Sequence, residues 1–554
     1  MIDAAEGRTP DPRILADLMR DKARTMPDFE VLTFEHLSLD EEATPDEVRT
    51  YAQLEVNADR LAAALIEAGM GRGERFGLMM RNHPEYVETM VAASITATVM
   101  VPLDPRTRGA KLAFMLSNAD CRGIVCADYC LAEVLSVRER CPGLRWILAL
   151  ETGEGVPADT VARAAGVHSM RAALAAPAVP MAIRSSGSDP LQIIYTSGTT
   201  GDPKGVVFPN ERFGLLAAMG MIAGYREDER PYTGLSLTHG NAQAVTLAPS
   251  LVMGLHATFS RRFTKSRLWD VCRRHGCTVF SLLGGMATAI YSEPLRPDDT
   301  DNPVRYVTSA GMPAGIWQAF EKRFGVDILE WYAAVEGGLA FKPVGQGPIG
   351  SFGKPGPGLE MKVLDEHDLE CPPGVMGEIC SRPIGASASV EYYGNAEASE
   401  AKTRGGWLRS GDIGHTDAEG WFFFDFRKGG GIRHNGDFVN PGFVEKAVAE
   451  HPSVSDVFVY GVEAASGSPG EKDVVAAVVP VDRANFDPSS VFAECRRTLE
   501  SNFVPSYLQV VDEIPKTSSE KPQERFLLEI FAPDAPGVFM EEKTHGVFRE
   551  EKSR

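Results

Sequence analysis

No stretch of this 554-residue chain approaches the roughly 18 consecutive apolar residues that a membrane-crossing helix needs. The opening residues, MIDAAEGRTPDPR, lack both a basic leader and an apolar signal core, so the expected location is cytoplasmic. Positive charge is also short. With 56 Lys and Arg against 76 Asp and Glu, the net charge is −20, which argues against nucleic acid or an anionic membrane as main partner, because binding a phosphate backbone takes a basic surface. Anionic small ligands remain open wherever lysine and glycine cluster. The nine cysteines include no CxxC pair, and no histidine stands at finger spacing. The spacing thus argues against a structural zinc and a disulfide framework, and the cysteines read as small buried hydrophobes. There is no internal repeat.

What the chain does have is apolar material, 44% of its residues, enough for about three or four structural units. Helical spacing in RILADLMRDKAR (13–24) is followed by Thr50, a cap for a helix that Gly69 and Gly71 stop near Ala68. A strand at Arg75–Met80, a helix opened by Pro84, a strand in VMVPL, a helix at 110–118 and a strand in GIVCA (123–127) alternate as a parallel sheet with crossover helices requires. The rhythm resumes with strands at LQIIYT, YTGLSL, HATFS, CTVFSLL and VRYVTSA. From about residue 345, glycine and proline become frequent, and EMKVLD, GEICSRP and GWFFFDF suggest a smaller strand-rich subdomain. Beyond a glycine cluster, the pattern predicts helix 442–450, strands 454–461 and 473–480, helix 489–500 and strand 506–511. The expected architecture is α/β. A large N-terminal domain (1–428) holds parallel sheets flanked by helices plus the strand-rich subdomain, and a hinge (429–431) leads to a small, mobile α+β C-terminal lid (432–540) and a disordered tail (541–554).

The strongest chemical signal is the run Tyr195-Thr196-Ser197-Gly198-Thr199-Thr200-Gly201-Asp202-Pro203-Lys204-Gly205, set between two apolar runs. Its glycines let backbone N–H groups close around an anion, its hydroxyls add donors, and Lys204 adds charge: a composition suited to polyphosphate. GxxxxGK[ST] does not fit it, so it is no Walker loop.

These eleven positions resemble the phosphate loop YTSGTTGxPKG of the adenylate-forming superfamily, which includes acyl-CoA synthetases, luciferases and adenylation domains of peptide synthetases. Further segments follow in that family's order. Trp331-Tyr332-Ala333-Ala334-Val335-Glu336 is similar to YGxTE, implying that Tyr332 packs on adenine and that Glu336 holds the magnesium bridging the phosphates of ATP. Val335 replaces the usual threonine. Trp407-Leu408-Arg409-Ser410-Gly411-Asp412 resembles WxxTGD, whose aspartate accepts from the ribose hydroxyls, and Arg427 resembles a second ribose contact. The run RKGGGIRHNGDFVNP (427–441) resembles the hinge and pantetheine-tunnel motif, which would set Arg433, Asn435 and Gly436 beside the arm of coenzyme A. Phe426, Gly430 and Phe443 depart from that pattern. Pro515-Lys516-Thr517-Ser518-Ser519-Glu520-Lys521 resembles PxTxxGK, whose lysine bridges the attacking carboxylate and the α-phosphate, with Glu520 in the place of glycine. Leu237-Thr238-His239-Gly240-Asn241 resembles a segment bordering the acyl pocket, where His239 fits a gate and a satisfied core histidine equally. Ser309-Ala310-Gly311-Met312-Pro313 resembles the wall between adenine and acyl chain.

The resemblance implies an acid–thiol ligase that uses ATP, Mg²⁺ and coenzyme A to convert a carboxylic acid to acyl-AMP and then to a thioester. Catalytic roles fall to Lys521, Glu336, Thr196 and Lys204; nucleotide contacts fall to Thr196, Ser197, Gly198, Thr199, Thr200, Gly201, Tyr332, Asp412 and Arg427. The acyl pocket falls to His239, Gly240, Ala310, Gly311 and Met312. Carnitine/crotonobetaine-CoA ligases are the subfamily resembled, and a homodimer is compatible with the reading. Three alternatives stay open at this point: a free-standing enzyme that hands the acyl group to a carrier protein, a luciferase-like oxygenase that would share every ATP motif, and a non-catalytic nucleotide-binding homologue.

Overall fold

The computed structural model describes residues 9–39, 44–155, 166–196, 203–216, 218–428, 432–434, 437–439, 441–465, 472–499, 503–517 and 520–541. It divides into two compact units: residues 1–362 with 380–410, and residues 363–379 with 411–554. The proposed pivot, 429–431, lies outside the described residues.

The first unit is built on two sheets. Strands β1 (Glu30–Glu35) and β2 (Glu47–Thr50) open the chain. The helix Tyr51–Glu67 begins on a complete capping box: the Thr50 hydroxyl accepts from the Gln53 backbone N–H, and the Gln53 side chain accepts from that of Thr50. Next come β3 (Arg75–Met79), β4 (Val99–Pro102), β5 (Cys121–Ala127), β6 (Trp146–Leu150), β7 (Val167–Ser169), β8 (Pro190–Thr196) and β9 (Lys204–Pro209). They form a seven-stranded sheet in the order β7-β6-β5-β3-β4-β8-β9, parallel throughout except for the antiparallel pair β8/β9.

Strands β10 (Pro231–Thr233), β11 (Ala257–Ser260), β12 (Val279–Leu283), β13 (Tyr306–Ala310), β14 (Asp327–Ala334), β15 (Gly337–Lys342) and β16 (Ser351–Pro355) join the first two in the order β16-β15-β14-β13-β12-β10-β11-β1-β2. Pairing is parallel from β14 through to β1 and antiparallel at both ends. One strand is shorter than its sequence suggests: YTGLSL is extended ladder only as far as Thr233. Beyond it, the buried Asn82 amide donates to the Leu235 carbonyl and its oxygen accepts from Leu237 N–H, both at 2.8 Å, and Gln243 donates to the Leu237 carbonyl. Side chains thus take over the backbone's hydrogen bonds, and the chain turns instead of continuing the sheet.

Strands β17 (Leu359–Leu364), β18 (Gly377–Pro383) and β19 (Leu408–Thr416) carry the chain between the units. Within the second unit, β19 pairs with β20 (Phe422–Arg427), and a short hairpin joins β21 (Ile432–His434) to β22 (Asp437–Val439). Strands β23 (Val454–Glu463), β24 (Lys472–Pro480), β25 (Tyr507–Val510) and β26 (Val538–Met540) form a four-stranded sheet in that order. Val444 and Val448 from the helix Pro441–Ala449, and Val491, Phe492 and Cys495 from the helix Pro488–Thr498, share one apolar core with Val474, Ala476 and Val478 of that sheet.

Candidate active site

The hairpin β8/β9 places Thr196 opposite Lys204, and the Thr196 hydroxyl donates to the Lys204 carbonyl at 3.4 Å. The phosphate-loop residues Ser197, Gly198, Thr199, Thr200 and Gly201 between them lie outside the described residues. Gly205 is glycine for a packing reason, since a Cβ there would stand 2.6 Å from Ile193 Cγ2. The Tyr195 hydroxyl donates to Asn118 Oδ1 at 2.6 Å and ties the end of β8 to the helix Gly109–Asn118.

Beside β9 runs a segment that contains Tyr392. Val206 and Tyr392 form an antiparallel bridge, the Lys204 ammonium lies 5.5 Å from the Tyr392 ring centre, and the Tyr392 hydroxyl donates to Glu336 Oε1 at 2.8 Å. One tyrosine therefore links the loop lysine to the acid on the β14/β15 turn. Sequence reading missed it, and the available signal was a tyrosine pair, Tyr392-Tyr393, standing in a stretch of small and polar residues. Glu336 is 9% exposed, and among the described residues its Oε2 accepts no hydrogen bond. A carboxylate oxygen free for a hard cation suits Mg²⁺, which typically takes one or two protein carboxylates and fills its shell with water and phosphate. Tyr332, four residues earlier, stacks on Phe352 at 4.5 Å between ring centres.

Glu336 also borders a cavity of about 1240 Å³. His239, Gly240 and Ala310 line it, as do Ile194, Met219, Leu283, Trp331 and Phe341, so its walls are mainly apolar. His239 Nδ1 accepts from Asn241 N–H at 3.2 Å, and burial lowers the ring's pKa, Asp104 opposing weakly. The imidazole is neutral at neutral pH. Gly311 and Met312 are placed differently from Ala310. Both direct their backbone N–H groups to the buried Glu330 carboxylate, and the Met312 side chain enters the core. Gly311 has φ +94°, and its carbonyl comes so near Gly284 that a Cβ on Gly284 would stand 2.1 Å from it. Burial raises the Glu330 pKa to about 8, against the pull of the two N–H donors. Glu330 too was invisible in sequence, where it reads as one residue of a strand.

In the second unit, Asp412 and Arg427 sit directly across β19/β20 and form an ion pair at 2.5 Å, with Asp412 5% exposed. Lys521 closes a tight loop: Thr517 N–H donates to its carbonyl at 2.8 Å, and its own N–H donates to the Thr517 hydroxyl at 3.1 Å. Its pKa is lowered, first by surrounding protein and then by the Arg427 charge, while Asp412 pulls the other way. The structure thus brings Lys521 into the electrostatic field of the Asp412–Arg427 pair, although more than ninety residues separate it from either in the chain. Glu520 adopts φ +59°, the left-handed region that its glycine counterpart in the resembled motif would occupy without strain. Arg433 lies on β21, while Asn435 and Gly436 lie outside the described residues.

Known proteins resemble this chain over most of its length. A medium/long-chain-fatty-acid–CoA ligase of Mycobacterium marinum is 29% identical over 474 residues, covering 84% of this chain and 88% of the relative. A crotonobetaine/carnitine–CoA ligase of Salmonella choleraesuis is 27% identical, covering 85% and 91%. Among solved structures, an anthranilate CoA ligase in complex with anthranoyl-AMP shares the fold, with a TM-score of 0.78 over 95% of this chain and 98% of that one, at 22% identity. The AMP-binding enzyme model matches residues 19–393 and the AMP-binding enzyme C-terminal domain matches residues 444–521, so the chain belongs to the AMP-binding enzyme family.

Proposed function

We propose that this chain is an ATP-dependent acyl-CoA ligase, which joins a carboxylic acid to the α-phosphorus of ATP and then passes the acyl group to coenzyme A. The observation that carries the reading is the convergence of Lys204 and Glu336 on Tyr392 at the border of a large apolar cavity: cation and acid for a polyphosphate, next to room for an acyl group.

In the first half-reaction, a carboxylate oxygen attacks the α-phosphorus as the bond to pyrophosphate breaks. Lys204 and the Thr196 hydroxyl serve the departing phosphates, together with the loop 197–201. Glu336 would hold Mg²⁺, which when bound neutralises charge on the phosphate oxygens. Tyr332 is assigned to the adenine, and the Asp412 carboxylate, steadied by Arg427, to the ribose hydroxyls. Lys521 stabilises charge developing at the α-phosphoryl group. In the second half-reaction the thiol of coenzyme A attacks the acyl carbonyl and AMP departs, with Arg433 and Gly436 assigned to the pantetheine arm. Activation comes first because a carboxylate is a poor electrophile and AMP a good leaving group.

The apolar cavity walls favour an apolar acyl chain. A fatty or aryl-alkyl acid is therefore proposed over a betaine. A cytoplasmic location follows from the proposed use of ATP and coenzyme A. Among the described residues no helix is long and apolar enough to cross a membrane. The test is pyrophosphate release over a panel of carboxylic acids of graded length, with and without coenzyme A. Release with apolar acids and thioester formation on adding coenzyme A are expected; release that leads to no thioester would redirect the second step to a carrier protein, and silence with every acid would overturn the reading.

A further inference from the structure

One cation at the cavity has no role in the mechanism above. Arg212, on the helix Asn210–Leu216, lines the cavity, lies over the Phe208 ring at 4.6 Å from guanidinium carbon to ring centre, and donates through one terminal nitrogen to the Val335 carbonyl. The other terminal nitrogen and Nε have no hydrogen-bond acceptor among the described residues, and the carboxylate whose charge acts on Arg212, that of Glu336, does so from beyond ion-pair distance. A guanidinium carries five N–H donors in a fixed plane, and holding it by one face and one corner leaves an edge for a second ligand. Such a cation beside apolar walls is costly unless an anion or water completes it. Val335, to which it is tied, is bonded to Glu336, so the guanidinium stands next to the proposed phosphate end of the cavity rather than its apolar depth.

We infer that Arg212 is a substrate-binding residue that receives the reacting carboxylate, aligning it for attack on the α-phosphorus through charge-assisted hydrogen bonds. The inference rests on the ligase reading for the attack, but not for the binding. In the step, a carboxylate oxygen forms the bond to phosphorus, the bond to pyrophosphate breaks, and Arg212 neither gains nor loses a proton. Of the two carboxylates a substrate can offer, the one that reacts and a second one at the far end of a dicarboxylic acid, the position beside Glu336 favours the first.

The test compares the full-length wild type with Arg212→Met and Arg212→Lys, each shown by thermal melting to be folded. Calorimetry measures binding of decanoate, of 1-decanol and of decanedioate, and pyrophosphate release gives KM and kcat for the best acid of the panel. Expected is a loss in decanoate affinity on the order of tenfold or more in Arg212→Met, partly recovered in Arg212→Lys, with 1-decanol binding unchanged, and a KM for the acid that rises in parallel. An Arg212 that merely packs would weaken acid and alcohol alike, and that result overturns the inference. So does a wild type that binds decanoate no better than the alcohol, or a loss confined to decanedioate. A wild type that releases no pyrophosphate removes the ligase reading, while the ratio of acid to alcohol binding still decides Arg212.

Discussion

Lys521 shows how one side chain's value depends on what surrounds it. Crowding by protein and the Arg427 charge both lower its pKa, so the ammonium is less stable here than in water, and a developing negative charge beside it would be welcomed. Lys521→Ala is expected to lower acyl-adenylate formation by about 10²–10³ or more, while leaving thioester formation from pre-made acyl-AMP largely intact. Measuring the half-reactions separately checks this, and an equal fall in both would assign Lys521 elsewhere. Its neighbour Glu520 holds φ +59°, where an L side chain costs roughly 1–2 kcal/mol and glycine does not. At most positions alanine is the more stabilising of the two. Here Glu520→Gly should exceed Glu520→Ala in stability by about 1 kcal/mol, glycine's extra unfolded-state entropy having been subtracted, as urea titrations of the two variants would show.

At the level of elements, the end of β13 and the strands β14 and β15 form one device. Glu330 on β14 accepts from Gly311 and Met312 at the end of β13, and it stands opposite Lys342 of β15. Two N–H donors favour its carboxylate form, but burial outweighs them and lifts the pKa to about 8. A carboxyl whose pKa is higher in the folded than in the unfolded chain stabilises the fold fully below the unfolded value. That contribution drains away as pH rises through the folded value. Wild-type stability should therefore decline between about pH 4.5 and 8 relative to Glu330→Gln, whose neutral amide oxygen can still accept from the two backbone N–H groups. Urea denaturation of both proteins from pH 5 to 9 tests it; a constant difference would mean that Glu330 does not change charge on unfolding. The same elements explain why sequence reading separated Ala310, which lines the cavity, from neither Gly311 nor Met312. The three are adjacent in the chain, and only the buried acid beneath them turns two of them inward.

For the whole molecule, the proposed chemistry asks the C-terminal part to serve two half-reactions. The sequence offers Gly429-Gly430-Gly431, which have no Cβ and accept either sign of φ, as the place for that change. Proline at 430 would fix φ near roughly −65°. Gly430→Pro is expected to retain substantial pyrophosphate exchange and to lose most acyl-CoA formation; wild-type rates in both would show that the chain does not pivot there. Much else was legible in the linear chain because its causes are local. Capping at Thr50, the Pro84 helix start and the strand–helix alternation depend on neighbours within a few residues, and the glycine-rich phosphate loop stands out because a backbone that wraps an anion needs consecutive small residues. Tertiary structure alone decided that Tyr392 joins Lys204 to Glu336, that Asn82 ends β10 early, that Arg212 faces the cavity, and that Lys521 meets the Asp412–Arg427 pair. These contacts join residues between 56 and 188 positions apart, and none has a periodicity or a spacing to betray it. Local backbone preferences are written in adjacent residues, whereas the meeting of distant side chains is fixed only when sheets and helices pack and burial chooses their partners.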